Sequence, residues 1–314
     1  MRHGVVGLTL AALATLPFWI ANGYYVDIAS QILIWAVAAL GLNLLVGYGG
    51  LVSLGHAGLV GTASYTAALL VAAGANHLAA ALAALAVTLA ISAVFAVLAL
   101  RATGIGFLMI TLALGQILWG IAYRWISLTN GDNGISVSAR AAPFGLSLNA
   151  APVFYYATLA VFLAALAAIN VFVASPFGAS LQGTREEPRR MNVLGFNVWL
   201  IRFLAVTFSG FICGAAGILY FEYNKFVSPH VLSLQTSAEL LLMVISGGIG
   251  TLFGPVAGAA LVVIVKYVVS AYIERWNLVL GAIFVAIILF MPEGLVPGTL
   301  RLARQLQLRK EAWR

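Results

Sequence analysis

The sequence predicts an all-α membrane protein: a polytopic helical bundle of about 8–10 spans, with broken or re-entrant helices and both termini in the cytoplasm. Three observations predict it. Hydrophobic residues fill 63% of the 314 positions and charged residues only 8%, whereas a soluble domain carries about 25% charged residues. Apolar runs of membrane-spanning length recur from end to end, so residues 1–314 read as a single transmembrane domain with no room for a separate soluble one. Two glycine-rich stretches, Gly47-Tyr48-Gly49-Gly50-Leu51-Val52-Ser53-Leu54-Gly55-His56-Ala57-Gly58 and Ser246-Gly247-Gly248-Ile249-Gly250-Thr251-Leu252-Phe253-Gly254-Pro255, interrupt the apolar chain. Irregular backbone is tolerated inside a membrane only where protein or a water-filled cavity surrounds it. Broken helices therefore point to where a solute is handled.

The elements follow in order. Residues 1–20 carry Arg2 ahead of an apolar run and resemble a signal peptide. Further spans follow, so the segment is read as a retained first helix. Candidate spans lie at 5–20, 28–46, 59–73, 78–100, 105–126, 153–173, 198–221, 238–249, 252–273 and 278–291. The third, eighth and tenth are short for a crossing. If the third and eighth dip in and return, fewer crossings remain and the termini stay on one side. Arg2, Arg101, Arg185, Arg189, Arg190, Arg202, Arg301, Arg304, Arg309, Lys310 and Arg314 fall on one face of this arrangement. Arg124, Arg140, Lys225 and Arg275 fall on the other, and Lys266 lies within a span. That asymmetry is the positive-inside bias, which makes the first face cytoplasmic. The formal charge of +7 thus follows the membrane and is no sign of nucleic-acid binding.

Two loops stand out. Residues 127–151 are polar, fall outside, and hold the turn signal Asn130-Gly131-Asp132-Asn133-Gly134. Residues 175–197 fall inside, and a basic tail at 298–314 joins them there. Gly250, Gly254 and Gly258, and separately Gly210 and Gly214, recur at helix-packing spacing. They serve contacts within the chain or with a second membrane subunit.

Within 175–197, Pro188 suits the first turn of a helix, with Glu186 and Glu187 near its positive end. Gly195 suits the position just past its end. A helix of about two turns is not stable alone in water, so the membrane domain or a docked partner must hold it. Ser53 and His56 stand in the first glycine break, where His56 serves freed backbone groups or faces a solute route. Glu239 opens the eighth span near the outer surface, and ionisable groups in a membrane are functional candidates. Lys266 is within reach of the outer surface by snorkelling, and Arg202, in the first turn of its span, snorkels to the inner one. Cys213 is single, which excludes an internal disulfide and assigns it to packing. No second ligand at helical spacing accompanies His56, so no metal site is expected. Gly-x-Ser-x-Gly, His-Glu-x-x-His, Cys-x-x-Cys and the phosphate loop Gly-x-x-x-x-Gly-Lys-Ser/Thr are all missing from the sequence. Any nucleotide hydrolysis that powers this protein belongs to another chain.

The run Gly41-Leu42-Asn43-Leu44-Leu45-Val46 leading into Gly47 to Gly58 resembles the signature of LivM-type permeases, membrane subunits of bacterial ATP-binding-cassette importers for branched-chain amino acids. Phe226-Val227-Ser228-Pro229, Ser237-Ala238-Glu239-Leu240-Leu241-Leu242-Met243, Gly247 to Pro255 and Met291-Pro292-Glu293-Gly294-Leu295 are similar to further motifs of that family and keep their order. The resemblance implies that Arg185, Glu186, Glu187, Pro188, Arg189, Arg190, Leu194 and Gly195 form the coupling segment that docks on an ATPase. Met191 departs from the family, where a small residue is usual. It implies a second, LivH-type permease, two cytoplasmic ATPases that use ATP and Mg, an outer solute-binding protein, and a place in the bacterial inner membrane. No cofactor is expected on this chain. Related systems carry urea, short amides or aromatic acids, so the resemblance leaves the cargo open.

The translocation pathway is expected along Gly49, Gly50, Ser53, Gly55, His56, Gly58, Glu239, Gly247, Gly248 and Gly250. Few fixed charges are available there, which suits a small solute that is neutral overall, such as a zwitterionic amino acid. An ion-coupled secondary transporter also uses broken helices and stands as the alternative. The shortage of intramembrane carboxylates weighs against it.

Overall fold

The computed structural model describes residues 15, 17, 23–137, 150–272, 275–299 and 301. The expected first span, most of the basic tail and the middle of the 127–151 loop lie outside them, as does the placement of both termini. Helix α1, Gly23–Asn43, runs on through a π-helical turn at Leu44–Gly49. It is followed by α2 (His56–Ala72), α3 (His77–Ala99) and α4 (Ile105–Arg124). A short helix α5 (Ile126–Thr129) and a strand β1 (Ile135–Ser136) cap this half on the outside. Helices α6 (Ala151–Ala174), α7 (Pro176–Glu186), α8 (Pro188–Val193) and α9 (Val198–Asn224) come next. Strand β2 (Phe226–Val227) pairs antiparallel with β1, placing Ile135 opposite Val227. The chain closes with α10 (Leu234–Gly247), α11 (Gly254–Ile264, extended by a π turn at Val265–Val269) and α12 (Trp276–Phe290).

Among the described residues, five helices are long and apolar enough to cross a membrane: Gly23–Gly49, His77–Ala99, Ile105–Arg124, Ala151–Ala174 and Val198–Asn224. Four shorter apolar helices accompany them, at His56–Ala72, Leu234–Gly247, Gly254–Val269 and Asn277–Phe290. Three of these are the spans expected to be short. The fourth, α11, was expected to be a full crossing over 252–273 and is shorter, because the first residues of that range belong to the second glycine break and the helix, its π turn included, ends at Val269.

Helix α1 is the hub, buried against α6, α9, α10 and α11. Helix α9 crosses α1, α2 and α3. Between helices in lipid there is no hydrophobic driving force, so close packing and interhelical hydrogen bonds carry the association. Small residues supply both here. A Cβ placed on Gly41 of α1 would lie 2.9 Å from Cys213 Sγ on α9. Gly214 of α9 packs on Thr88 of α3, and Gly210 beside it packs on Ser92. The Gly210/Gly214 stripe therefore serves this chain's own packing, and buried Cys213 fits the packing role expected of it. The Gly250/Gly254/Gly258 stripe does not form one helix face. Gly250 lies in the break at φ 72, Gly254 starts α11, and Gly258 sits against the backbone of Met243 on α10.

Outside, the expected turn is present: Asn130 adopts φ 62 and its Nδ2 donates to Gly134 O at 3.1 Å. His77 at the start of α3 meets Glu222 at the end of α9, with Nδ1 and Oε1 2.7 Å apart.

Candidate functional site

The first glycine break is a re-entrant passage. Helix α1 loosens into its π turn, and Gly50 reverses the chain in the left-handed region at φ 66, a conformation that costs glycine nothing. Residues 51–55 then run irregularly to the start of α2. Five residues reach at most about 17 Å. They end beside Thr111, about 9 Å into α4, and Ser209, about 16 Å into α9, at 1.5 Å per residue. Helix α2 thus begins near the middle of an apolar layer about 30 Å thick.

A helix start at that depth leaves backbone donors without water, and side-chain hydroxyls take them. Leu54 N donates to Thr111 Oγ1, Gly55 N to Ser53 Oγ and Ala57 N to Ser237 Oγ, each at 3.3 Å. His56, 2% exposed, ties these groups to α9. Its Nδ1 is 2.8 Å from Ser53 Oγ and its Nε2 2.9 Å from Ser209 Oγ. Ser209 gives its own proton to Gly41 O at 2.6 Å, so it accepts from Nε2–H. Nδ1 then accepts from Ser53. The network assigns the neutral Nε2–H tautomer. Both ring nitrogens are committed to serine hydroxyls, so the ring bonds no freed backbone group itself and instead links Ser53 of the break to Ser209 of α9. Ser53, Gly55, His56 and Gly58 lie together here. Gly55 and Gly58 face α4, with a Cβ on Gly58 falling 3.3 Å from Gly115 Cα.

The second break is tighter. Helix α10 ends at Gly247, Gly248 takes φ 124, Gly250 takes φ 72, and α11 restarts at Gly254. Thr251 holds the turn by donating from Oγ1 to Gly248 O (2.8 Å) and accepting from Gly254 N (3.0 Å). The closing motif, residues 291–295, packs on it: a Cβ on Gly294 would lie 2.4 Å from Gly248 Cα, and one on Gly248 2.6 Å from Pro297 Cδ just beyond the motif.

The two breaks touch. A Cβ on Gly47 would fall 2.6 Å from Gly250 Cα. Asn43, 1% exposed, locks the contact with both ends of its amide. Its Nδ2 donates to Thr251 O at 2.9 Å, and its Oδ1 accepts from Gly250 N at 3.0 Å. Asn43 was not singled out by the sequence reading. A polar amide inside an apolar run just before a glycine cluster is the signal that marks it.

The inner segment reaches the same place from below. Helix α8 occupies Pro188–Val193 as expected, with Gly195 beyond it at φ 88. Glu187 caps it, accepting from Arg189 N at 3.3 Å. The amphipathic helix α7 before it was not expected. Its signal was Ser175-Pro176: the Ser175 hydroxyl caps Gly178 N at 3.3 Å, and proline takes the first position. Arg185 of α7 lays its stem over Gly50, whose Cβ would meet Arg185 Cγ at 2.7 Å, and its Nη1 donates to Gly47 O. Leu181 covers Gly49. Met191 folds back onto α7, with its Sδ 2.8 Å from where a Gly183 Cβ would stand. Gly183 thus makes room for the larger residue. Arg202 does more than snorkel, donating from Nη2 to Thr184 O at 2.8 Å and so tying α9 to α7. A hollow of about 260 Å³ beside it is lined by Leu100, Asn192, Asn197 and Trp199. Glu186, Arg189, Arg190, Leu194 and Gly195 remain exposed, as does Val193 at 88%. With Leu194 and Phe196, also exposed, Val193 forms an apolar patch at the end of a polar two-turn helix.

Glu239 stands apart, in the outer half on α10. It is buried and ion-paired, with Oε2 3.4 Å from Lys266 Nζ and Oε1 accepting from Gln235 Nε2 at 3.2 Å. Its partners are therefore side chains of the bundle, although it lies near the outer surface. The two intramembrane charges, considered separately in the sequence, neutralise one another across α10 and α11.

Comparison with known proteins agrees with this architecture. The profile of the family described as "Branched-chain amino acid transport system / permease component" matches residues 24–288. The chain is 30% identical over 332 residues to the high-affinity branched-chain amino acid transport system permease protein LivM of Escherichia coli, covering 94% of this chain and 75% of that one. It is 29% identical over 313 residues to LivM of Salmonella typhimurium, covering 90% and 72%. A fainter likeness, 23% over 185 residues, links it to LivH of Escherichia coli, covering 55% of this chain and 59% of that one. No solved structure gives a match.

Proposed function

The chain belongs to the branched-chain amino acid transport permease family, and from that premise we propose that it is the permease subunit of an ATP-binding-cassette importer of the bacterial inner membrane. It forms half of a pathway for branched-chain or related amino acids, and partner ATPases, which bind the ATP and Mg, drive alternating access. The observation that carries this reading is the seat of α7 on the first glycine break. Arg185 bonds the carbonyl of Gly47 while α8, one residue further on, leaves Val193, Leu194, Arg189 and Arg190 bare.

A push on α8 passes through α7 to the π turn at the end of α1. That turn is held to the second break by Asn43 and leads into the re-entrant residues 51–55. A displacement at the inner surface thus has a continuous packed route to mid-depth. Gly49, Gly50, Gly247, Gly248 and Gly250 act as the hinge region, and the hydroxyl-lined start of α2 lies along the solute route. The remaining partners are a LivH-type permease and an outer solute-binding protein, which supplies much of the selectivity.

Glu239, the one carboxylate placed well inside a helix of the bundle among the described residues, is neutralised by Lys266. This weighs against ion coupling, which needs an intramembrane acid free to load and release its ion. The test is co-purification. Arg189→Glu with Arg190→Glu inverts the charge of the α8 surface and is expected to lower ATPase recovery about ten-fold, with membrane insertion intact. Undiminished recovery would remove α8 from the docking surface.

A further inference from the structure

Helix α4 combines two properties that do not belong together on a lipid-facing surface. It is the barest of the five long helices: 22% of its most apolar window is buried, against 28% for α3, 33% for α6, 56% for α9 and 89% for α1. Yet halfway along it stands Gln116, partly exposed and without a hydrogen-bond partner among the described residues. Eleven residues separate it from the start of α4, which places it about 16 Å into the layer. A primary amide in hydrocarbon without a partner costs several kcal/mol, on the order of 4–8. Lipid tails cannot satisfy it, and the glutamine stem is too short to reach either surface. Asn170, the comparable polar residue on α6, is about 6 Å from its helix end, where headgroup water is within reach.

What lies around Gln116 also sets this face apart. Ala113 and Gly120 flank it with small, accessible residues, and a Cβ on Gly120 would meet nothing within 4 Å. One turn towards the outside, Ile117, Gly120, Ile121, Arg124 and Trp125 border an open hollow of about 510 Å³. The neighbouring residue, Gly115, packs directly on the first break, where its Cβ would lie 3.2 Å from Gly55 Cα. Thr111, one turn inwards, accepts from Leu54 N. The bare amide is therefore one residue removed from the re-entrant segment.

We propose that Gln116 lines the aqueous solute route at mid-depth, as a hydrogen-bonding contact for a polar solute or its accompanying water, with α4 as this chain's wall of the pathway and the sister permease as the facing wall. This rests on the two-permease reading above. It adds which helix of this chain faces the route and which side chain meets the solute.

The test uses cells expressing the complete transporter. The single native cysteine, Cys213, is buried, so added cysteines can be read against it. Q116C is expected to react with a membrane-impermeant thiosulfonate about ten-fold or more faster than V87C on α3, because thiols react as thiolates and need water. Excess amino acid cargo should slow that reaction. In parallel, Gln116→Leu is expected to raise the KM for uptake about three- to ten-fold, the weight of one hydrogen bond. Gln116→Asn should restore part of it. Labelling of Q116C no faster than V87C, or a Gln116→Leu transporter with unchanged KM, overturns the assignment. The same outcomes leave the importer reading standing as long as uptake still requires ATP. If uptake by the wild-type complex does not require ATP, the importer reading falls, and the labelling comparison still decides whether Gln116 meets water.

Discussion

The two glycine breaks look alike in sequence and do different physical work. The first carries the chain from the inner surface to mid-depth, and hydroxyls and a histidine hold it: Ser53, Thr111 and Ser237 take up the backbone donors that the irregular path frees, and His56 links Ser53 to Ser209. The second is a tight hairpin in which α10 and α11 almost touch, held by shape and by Thr251, with the closing motif pressed against Gly248. Glycine serves the first by permitting a reversal and close contact with α4. It serves the second by leaving no side chain where backbone meets backbone. A polar network can be rearranged bond by bond as the bundle tilts, whereas a steric hairpin moves as one piece. On this account the second break is the rigid partner against which the first one works.

Three substitutions break that contrast at different points. Gly248→Leu is expected to be the most damaging. It places a side chain at φ 124 and against Pro297 Cδ, combining backbone strain of about 1–3 kcal/mol with overpacking of about 1–3 kcal/mol. Uptake should be lost and the purified complex should unfold at a clearly lower temperature. Normal uptake at normal expression would show that the hairpin tolerates expansion.

Asn43→Leu comes next. It uncouples the breaks by leaving the half-buried Gly250 N and Thr251 O without their amide partner, at about 1 kcal/mol each. The expected signature is ATPase activity that persists while uptake falls, since the inner segment still moves but no longer carries the second break with it. Loss of both activities in parallel would make Asn43 a stability residue only.

Ser209→Ala is the mildest. It removes one link between His56 and Gly41 and leaves Ser53 in place, for about 1–2 kcal/mol. It should slow uptake several-fold with little change in ATPase docking. An effect as large as that of Asn43→Leu would erase the distinction between a network and a hinge.

Much of this was legible in the sequence, and the reasons differ from region to region. Hydropathy placed the spans within a few residues, because backbone groups in lipid must bond within their own helix and the apolar runs declare where. Pro188 and Gly195 bracketed α8 because both act locally, through a fixed φ and through access to the left-handed region. Helix α7 was missed because its apolar residues are few and Gly178 and Gly183 break its pattern. Only Ser175-Pro176 announced it.

The site divided along the same line. That Ser53 and His56 matter could be read from polar residues inside a glycine-broken apolar run. That His56 meets Ser209, Asn43 meets Gly250 and Thr251, or Glu239 meets Lys266 could not. Those partners are far apart in the chain, and only the packing of α1, α9, α10 and α11 brings them together. The same holds for Arg202. Its position in the first turn of α9 suggested a cation reaching for water, whereas its neighbour turned out to be a carbonyl at the end of α7.

In the proposed function this chain is moved by an engine outside itself, through α7 and α8. The most direct measurement is uptake of a labelled branched-chain amino acid into proteoliposomes holding the permease pair with its ATPases and binding protein, with no ion gradient imposed. The expected result is accumulation that depends on ATP supplied on the ATPase side, disappears without it, and collapses when Arg189 and Arg190 are both changed to glutamate. Accumulation driven by an ion gradient in liposomes that contain this chain and no ATPase would contradict it.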